Sequence, residues 1–203
     1  MSDELFQAKK NVRRAVRARI GRMAAAARVS ASRAACERLI ALPEWEQART
    51  VLLFHAMADE VDLSAAIDAA LTCGKQLFLP RVSDRDVIFH RISDRAVLTR
   101  LQPHGYGMLE PLAAEPRWRA GADQTLIACP GRAFDGEGNR LGRGGGFYDR
   151  FLADLSAAGA LRTVRIVGVA YEIQFLETLP STPHDHPIDL LVTEQRTIRF
   201  NSD

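Results

Sequence analysis

The sequence predicts an α/β protein: one domain over residues 1–203, with a mostly parallel sheet covered by helices on both faces. Three observations carry that expectation. Short apolar, β-branched runs at 50–54, 76–80, 125–130, 163–170 and 188–193 read as strands buried on both sides. Segments of helical period separate several of them, the pattern of a parallel sheet with crossover helices. A chain of 203 residues, 47% hydrophobic and 26% charged, is long enough to bury one core.

The net charge of +2 is nearly balanced and argues against nucleic acid or an acidic membrane as partner. Cys36, Cys73 and Cys129 are scattered, with no CxxC, as in a reducing compartment. The chain starts with no apolar leader and contains no run of about 18 apolar residues. A cytoplasmic monomer is the expectation.

From residue 4 to 28, Leu5, Val12, Val16, Ile20 and Met23 recur at helical spacing, while Lys9, Lys10, Arg13, Arg14, Arg17 and Arg22 fill the other positions. Most charges on such a helix form a solvated face. A second helix is expected over 30–41, ending at Pro43. The strand at 50–54 then delivers HAMADEVD to its carboxyl end, where open α/β sheets bind ligands. Glu60 there reads equally as a site residue or as a surface carboxylate, and Asp62 as the cap of the next helix.

Gly74 ends that helix, and the strand at 76–80 follows. Arg81 either faces an anion or leaves the sheet for solvent. Residues 87–92 alternate as a half-exposed strand, which turns His90 outward. The stretch LQPHGYGMLEP, 101–111, is a loop that holds Tyr106 between two glycines. An aromatic so placed can stack on a flat heterocycle, or anchor the loop on the core.

The strand at 125–130 feeds the most informative stretch, PGRAFDGEGNRLGRGGGFYDR, residues 130–150. Dense glycine lets backbone N–H groups converge on one concavity, a nest for phosphate. Arg140 and Arg143 add forked positive charge, and Asp149 is a candidate ligand for Mg²⁺. A helix over 147–158 adds the partial positive charge of its N-terminus. The bland alternative is a mobile glycine loop.

Known phosphate and metal loops do not fit. Gly146 is followed by Phe147 and Tyr148, not by the Lys and Ser or Thr of a Walker loop. The glycines sit too far beyond their strand for a dinucleotide fingerprint. Asp135, Glu137 and Asn139 imitate a calcium loop, but Arg140 and Gly146 stand where Gly and Glu are required. Further on, His184 and His186 flank Asp185 with no third metal ligand nearby.

The 130–150 stretch closely resembles the signature of the 5-formyltetrahydrofolate cyclo-ligase family. The basic first helix, DEVD, FLPR, YGMLEP and HDHPIDLLVTE occur in the family's order, so the resemblance covers most of the chain. It implies a C–N-bond-forming ligase that uses ATP and Mg²⁺ to close 5-formyltetrahydrofolate to 5,10-methenyltetrahydrofolate, releasing ADP and phosphate through a phosphorylated formyl intermediate. By resemblance, ATP is held by Lys9, Arg13, Arg140, Gly142, Arg143, Gly144, Gly145, Gly146, Phe147 and Tyr148. The folate is held by His55, Glu60, Tyr106, Arg143 and Phe147, with Arg143 and Glu60 central to catalysis. Asp149 and Asp185 are the implied Mg²⁺ ligands, with Asp189 a second candidate for the latter.

The chain departs from the family's common GxGKGYYD in having Gly145 for Lys and Phe147 for the first Tyr. Arg143 or Lys9 is expected to compensate. A nucleotide-binding regulator and another phosphotransferase on the same scaffold are the rival readings.

Overall fold

The computed structural model describes residues 3–182 and 185–200. Two helices, α1 (Asp3–Arg22) and α2 (Ala25–Ile40), open the chain. The break falls at Met23 and Ala24, earlier than the helical period suggests, because no proline or side-chain cap marks it. Packing sets it: Val16 and Ile20 of α1 and Ala31, Ala35 and Leu39 of α2 are buried in one core. Pro43 ends α2 and also begins a short helix, α3 (Pro43–Gln47), in the first turn, where its missing N–H costs nothing.

Strand β1 (Thr50–Leu52) leads through a loop to α4 (Ser64–Thr72). Leu63, not Asp62, is the cap residue, although the Asp62 carboxylate does accept the Ser64 N–H at 2.9 Å. Gly74, at φ 70°, ends α4 and lets the Lys75 N–H reach the Ala70 carbonyl at 2.9 Å. The hairpin of β2 (Gln76–Ser83) and β3 (Asp86–Ile92) follows, then α5 (Arg95–Leu98). The expected loop at 101–111 is a small hairpin, β4 (Gln102–Pro103) and β5 (Leu109–Glu110).

After β6 (Thr125–Cys129), the pair β7 (Ala133–Phe134) and β8 (Arg140–Leu141) folds the first half of the glycine-rich stretch into a second hairpin. Helix α6 (Phe147–Ala157), β9 (Val164–Val169), β10 (Leu190–Val192) and β11 (Thr197–Arg199) complete the described chain.

The main sheet runs β11-β10-β9-β6-β1-β2-β3. Its five central strands are parallel and its two edge strands antiparallel, so the fold is the α/β class expected. Alternate residues face opposite sides. Val51, Leu77, Leu126 and Val167 pack with α1, α2 and α4; Leu52, Phe78, Ile127 and Ile166 pack with Leu152 and Leu155 of α6. Burial on both faces explains the continuous apolar runs.

Two expectations about β2 and β3 are corrected. His90 is buried at 1% exposure, not turned outward. Residues 115–118 run along the edge strand: the His90 Nδ1 lies 2.7 Å from the Glu115 carbonyl, and the Trp118 N–H donates to the Phe89 carbonyl at 2.7 Å. Arg81 lies within β2 and donates to the Pro111 carbonyl at 2.8 Å, tying the small hairpin to the sheet.

The strand order reverses at β1, which has β2 on one side and β6 on the other. The loops leaving β1 and β6 therefore diverge, and the crevice between them is where such sheets place ligands.

Candidate active site

That crevice is a cleft of about 400 Å³. The loop after β1 supplies His55, Met57 and Glu60, the glycine-rich stretch supplies Arg140, Gly142, Arg143 and residues 145–149, and the β4–β5 hairpin supplies Tyr106 and Met108.

The glycine-rich stretch is shaped in two steps. Asp135, 1% exposed, accepts the N–H groups of Glu137 and Asn139, and that of Leu179, each at 3.0 Å. The residues that imitate a calcium loop thus form a closed turn whose carboxylate is already occupied. Beyond β8 the chain needs positive φ at Gly144 (110°) and Gly146 (67°), conformations that L side chains avoid. Gly146 is the N-cap of α6, so the loop sits on that helix's N-terminus. A Cβ on Gly145 would lie 2.6 Å from the Phe147 ring, which folds back over the loop. Glycine at 145 and the ring at 147 are therefore a matched pair.

The charged wall is fully paired. Arg140, 4% exposed, is bonded to Asp149 and lies 5.7 Å over the Tyr148 ring. Arg143 reaches Glu60 at 2.8 Å and is also bonded to Asp59, which in turn bonds Arg132. Burial works to raise the Asp59 carboxyl, but hydrogen bonds from Arg132 and Arg143 overcome it and hold it below its ordinary range. For Arg143, burial is outweighed by Glu60 and Asp59, and its pKa rises.

Lys9 and Arg13 approach from α1, behind the loop. Lys9, expected on a largely solvated helix, is 6% exposed and meets Asp185 at 2.5 Å. Arg13 donates to the Gly142 carbonyl at 2.8 Å. Burial lowers its pKa, opposed by the fields of Asp185 and Asp149. Both implied metal carboxylates therefore act on one guanidinium. Asp185 is held by Lys9 and by the Thr182 N–H at 2.6 Å; burial pushes its carboxyl up, but these bonds keep it low. Asp189 directly precedes β10, its carboxylate accepting the Ile166 N–H at 2.7 Å. His184 falls outside the described residues, and among the described residues no three His, Cys, Asp or Glu side chains cluster as a metal cage.

The opposite wall is apolar. Phe54, Pro80, Val82, Val87 and Met108 line it, with Tyr106 and Phe147 at the rim, ring centroids 6.4 Å apart. Tyr106 is 61% exposed and makes an edge contact with His104 at 4.8 Å. His55 accepts the Leu109 N–H on Nδ1 at 3.3 Å, and burial pushes its pKa down, so the ring is neutral near pH 7. Between the walls, burial raises the Tyr148 phenol well above its ordinary pKa, and its oxygen has no hydrogen-bond partner.

A sequence profile of the 5-formyltetrahydrofolate cyclo-ligase family matches residues 6–194, nearly the whole chain. The chain belongs to that family. It is 27% identical to the 5-formyltetrahydrofolate cyclo-ligase of Mus musculus, covering 92% of this chain and 94% of the relative. It is 30% identical to that of Escherichia coli, over 80% and 87%. The solved 5,10-methenyltetrahydrofolate synthetase of Aquifex aeolicus superposes with a TM-score of 0.78 at 32% identity, covering 96% and 94%.

In this cyclo-ligase-family chain the cleft gathers His55, Glu60, Tyr106, Arg140, Gly142, Arg143, Gly145, Gly146, Phe147, Tyr148 and Asp149. Lys9, Arg13, Gly144 and Asp185 are not on its wall; they stand behind the glycine turn, where a Cβ on Gly144 would lie 3.7 Å from the Arg13 guanidinium carbon. Sequence reasoning missed Asp59, Arg132 and Arg150. Asp59 sat beside Glu60 in HAMADEVD, and Arg132 within the glycine-rich stretch, but neither carries a signal of its own. Arg150 donates to the Gly145 carbonyl at 3.0 Å and covers the Phe147 ring at 5.4 Å.

Proposed function

We propose that this family member binds ATP and its folate side by side in the one cleft and joins them by phosphoryl transfer. The reaction is conversion of 5-formyltetrahydrofolate to 5,10-methenyltetrahydrofolate. The observation that supports the finer reading is the two-sided cleft: a glycine turn on the N-terminus of α6, with Arg140 and Arg143, faces an apolar wall rimmed by Tyr106 and Phe147.

The formyl oxygen is a poor leaving group as hydroxide and a good one as phosphate. It attacks the γ-phosphorus, ADP departs, N10 closes on the activated carbon, and phosphate leaves. The protein's task is alignment and charge neutralisation. Glycine N–H groups and Arg143 receive the phosphates, with Arg13 and Lys9 supporting the turn from behind. Glu60 takes the pterin's N–H donors, Tyr106 and Phe147 flank the ring, and neutral His55 lines the same pocket. Tyr148 lines the cleft floor under Arg140, its hydroxyl buried.

Asp149 and Asp185 are oxygen donors whose fields both act on Arg13, and with so few protein ligands they suit a cation that takes the rest from phosphates and water, as Mg²⁺ does. Bound there, Mg²⁺ would supply charge neutralisation on the triphosphate. Among the described residues no helix is long and apolar enough to cross a membrane, and the large exposed apolar side chains are Phe6, Val29 and Tyr106. We place the protein in the cytoplasm and read it as a monomer, the latter checked by light scattering of the pure chain.

The deciding experiment incubates pure protein with 5-formyltetrahydrofolate and follows methenyl absorbance. Product is expected only with both ATP and Mg²⁺ present; equal rates without ATP would overturn the phosphoryl route.

A further inference from the structure

Glu60 is claimed by two groups at once. In the free protein its Oε1 accepts from Arg143 Nε at 2.8 Å and lies within ion-pair distance of Nη2, and its Oε2 accepts the Met57 N–H at 2.9 Å. The 2-amino and N3–H donors of a pterin present a fork much like a guanidinium, so a pterin bound to Glu60 competes with Arg143 for the same oxygen. Arg143 then needs another anchor, or its long side chain swings free and loses its aim.

Asp59 is that anchor. Its Oδ1 bonds Arg143 Nη2 and its Oδ2 bonds Arg132 Nη1, so one carboxylate spans two guanidiniums. All three side chains are sheltered: Arg132 is 11% exposed, Asp59 22% and Arg143 31%. Arg132 is held at its own backbone to β8 through the Leu141 carbonyl at 2.7 Å, so the bridge runs from the loop after β1 to the base of the glycine turn. When the pterin takes Glu60, a single negative charge is left between two cations, and the surplus positive charge lies beside the phosphate nest.

We propose that Asp59 is a positioning residue: it retains Arg143 at the phosphate site once substrate displaces that arginine from Glu60, and so couples folate occupancy to nucleotide binding. This rests on the functional reading above, in which Glu60 meets the pterin and Arg143 the phosphates. Coupling of this kind is reciprocal, so nucleotide tightens folate as much as folate tightens nucleotide.

The test compares Asp59→Asn, Asp59→Glu, Arg143→Ala, the double variant Asp59→Asn/Arg143→Ala, and Asp59→Asn/Arg132→Met. For each, kcat and the KM for ATP are measured at saturating folate, and the Kd of a non-hydrolysable ATP analogue with Mg²⁺ is measured by titration, with and without 5-formyltetrahydrofolate. Asp59→Asn is expected to weaken nucleotide binding between about 10- and 100-fold, the loss that a misaimed group costs, and to abolish the tightening by folate. Asp59→Glu recovers part of it. Asp59→Asn adds nothing on top of Arg143→Ala, since both act through one guanidinium.

A purely structural Asp59, present only to satisfy buried Arg132, behaves differently: removing Arg132 as well restores nucleotide affinity, and that result overturns the proposal. So do additive losses in the double variant, or an unchanged Kd for the analogue. If Asp59→Asn does not fold, the Asp59→Asn/Arg132→Met protein, which leaves no orphaned charge, carries the same comparison. Absence of turnover in the unaltered protein would defeat the reaction assigned above, whereas the analogue's affinity still decides the role of Asp59.

Discussion

The two walls of the cleft are prepared for their ligands in opposite ways. The apolar wall of Phe54, Pro80, Val82, Val87 and Met108 is finished before substrate arrives: Phe54 and Val87 belong to the buried core, Pro80 and Val82 are fixed on β2, and Met108 is buried whether or not a ring lies on it. The charged wall is closed upon itself, Arg140 with Asp149 and Arg143 with Glu60 and Asp59, and behind the turn Lys9 is paired with Asp185 and Arg13 with the Gly142 carbonyl. A sheltered charge without a partner costs several kcal/mol, so a folded chain cannot hold bare cations ready for phosphate. Apolar recognition can be preformed, whereas charge recognition here proceeds by exchange of partners.

The contrast can be broken one wall at a time. Arg143→Ala removes a cation that meets phosphate only after exchange; kcat/KM for ATP is expected to fall about 100-fold, a larger effect than the drop in thermal midpoint caused by leaving sheltered Glu60 without its cation, and unchanged turnover would end its assignment. Tyr106→Ala strips the rim of the preformed wall. Stacking losses of about 1–3 kcal/mol raise the folate KM roughly tenfold or more with the KM for ATP unaffected. Because Tyr106 is 61% exposed, stability measured in urea should stay within about 0.5 kcal/mol.

Gly146→Ala places a Cβ at φ 67°, facing the Arg150 guanidinium at 2.8 Å. A cost of about 1–2 kcal/mol in urea is expected, with weaker ATP binding and an unaltered folate KM.

The smallest effect is one of pH. Burial holds the folded pKa of His55 below its unfolded value of about 6.5. Between those two values the unfolded chain binds the extra proton, so this contribution to stability is complete above about pH 6.5 and declines as pH falls toward the folded pKa. Protonation also removes the acceptor for the Leu109 N–H that steadies the Tyr106 hairpin. A few-fold rise in folate KM as the pH falls through the lowered folded pKa of His55, absent in His55→Leu, is the expected signature.

Much of this was readable in advance, and the exceptions have physical causes. The apolar runs at 50–54 and 125–130 contain β1 and β6, because two-sided burial leaves a local mark in composition. The glycine turn and Tyr106 were visible for the same reason: positive φ and an aromatic between glycines are properties of a few consecutive residues. His90 misled because its alternation is that of a half-exposed strand, and only the return of residues 115–118 covers it. Lys9 misled likewise. Its burial depends on Asp185, 176 residues further on.

The alternation of helices with the main-sheet strands, the glycine-rich turn and the resemblance to a family were legible in the sequence alone, since each rests on period, turn chemistry or an uninterrupted motif. Which charges face one another was decided only when the strand order reversed at β1 and opened a crevice between the β1 and β6 loops. Glu60 and Arg143 stand 83 residues apart in the chain yet share an ion pair. Coulomb attraction falls with distance through space, not along the chain, and no local pattern encodes it.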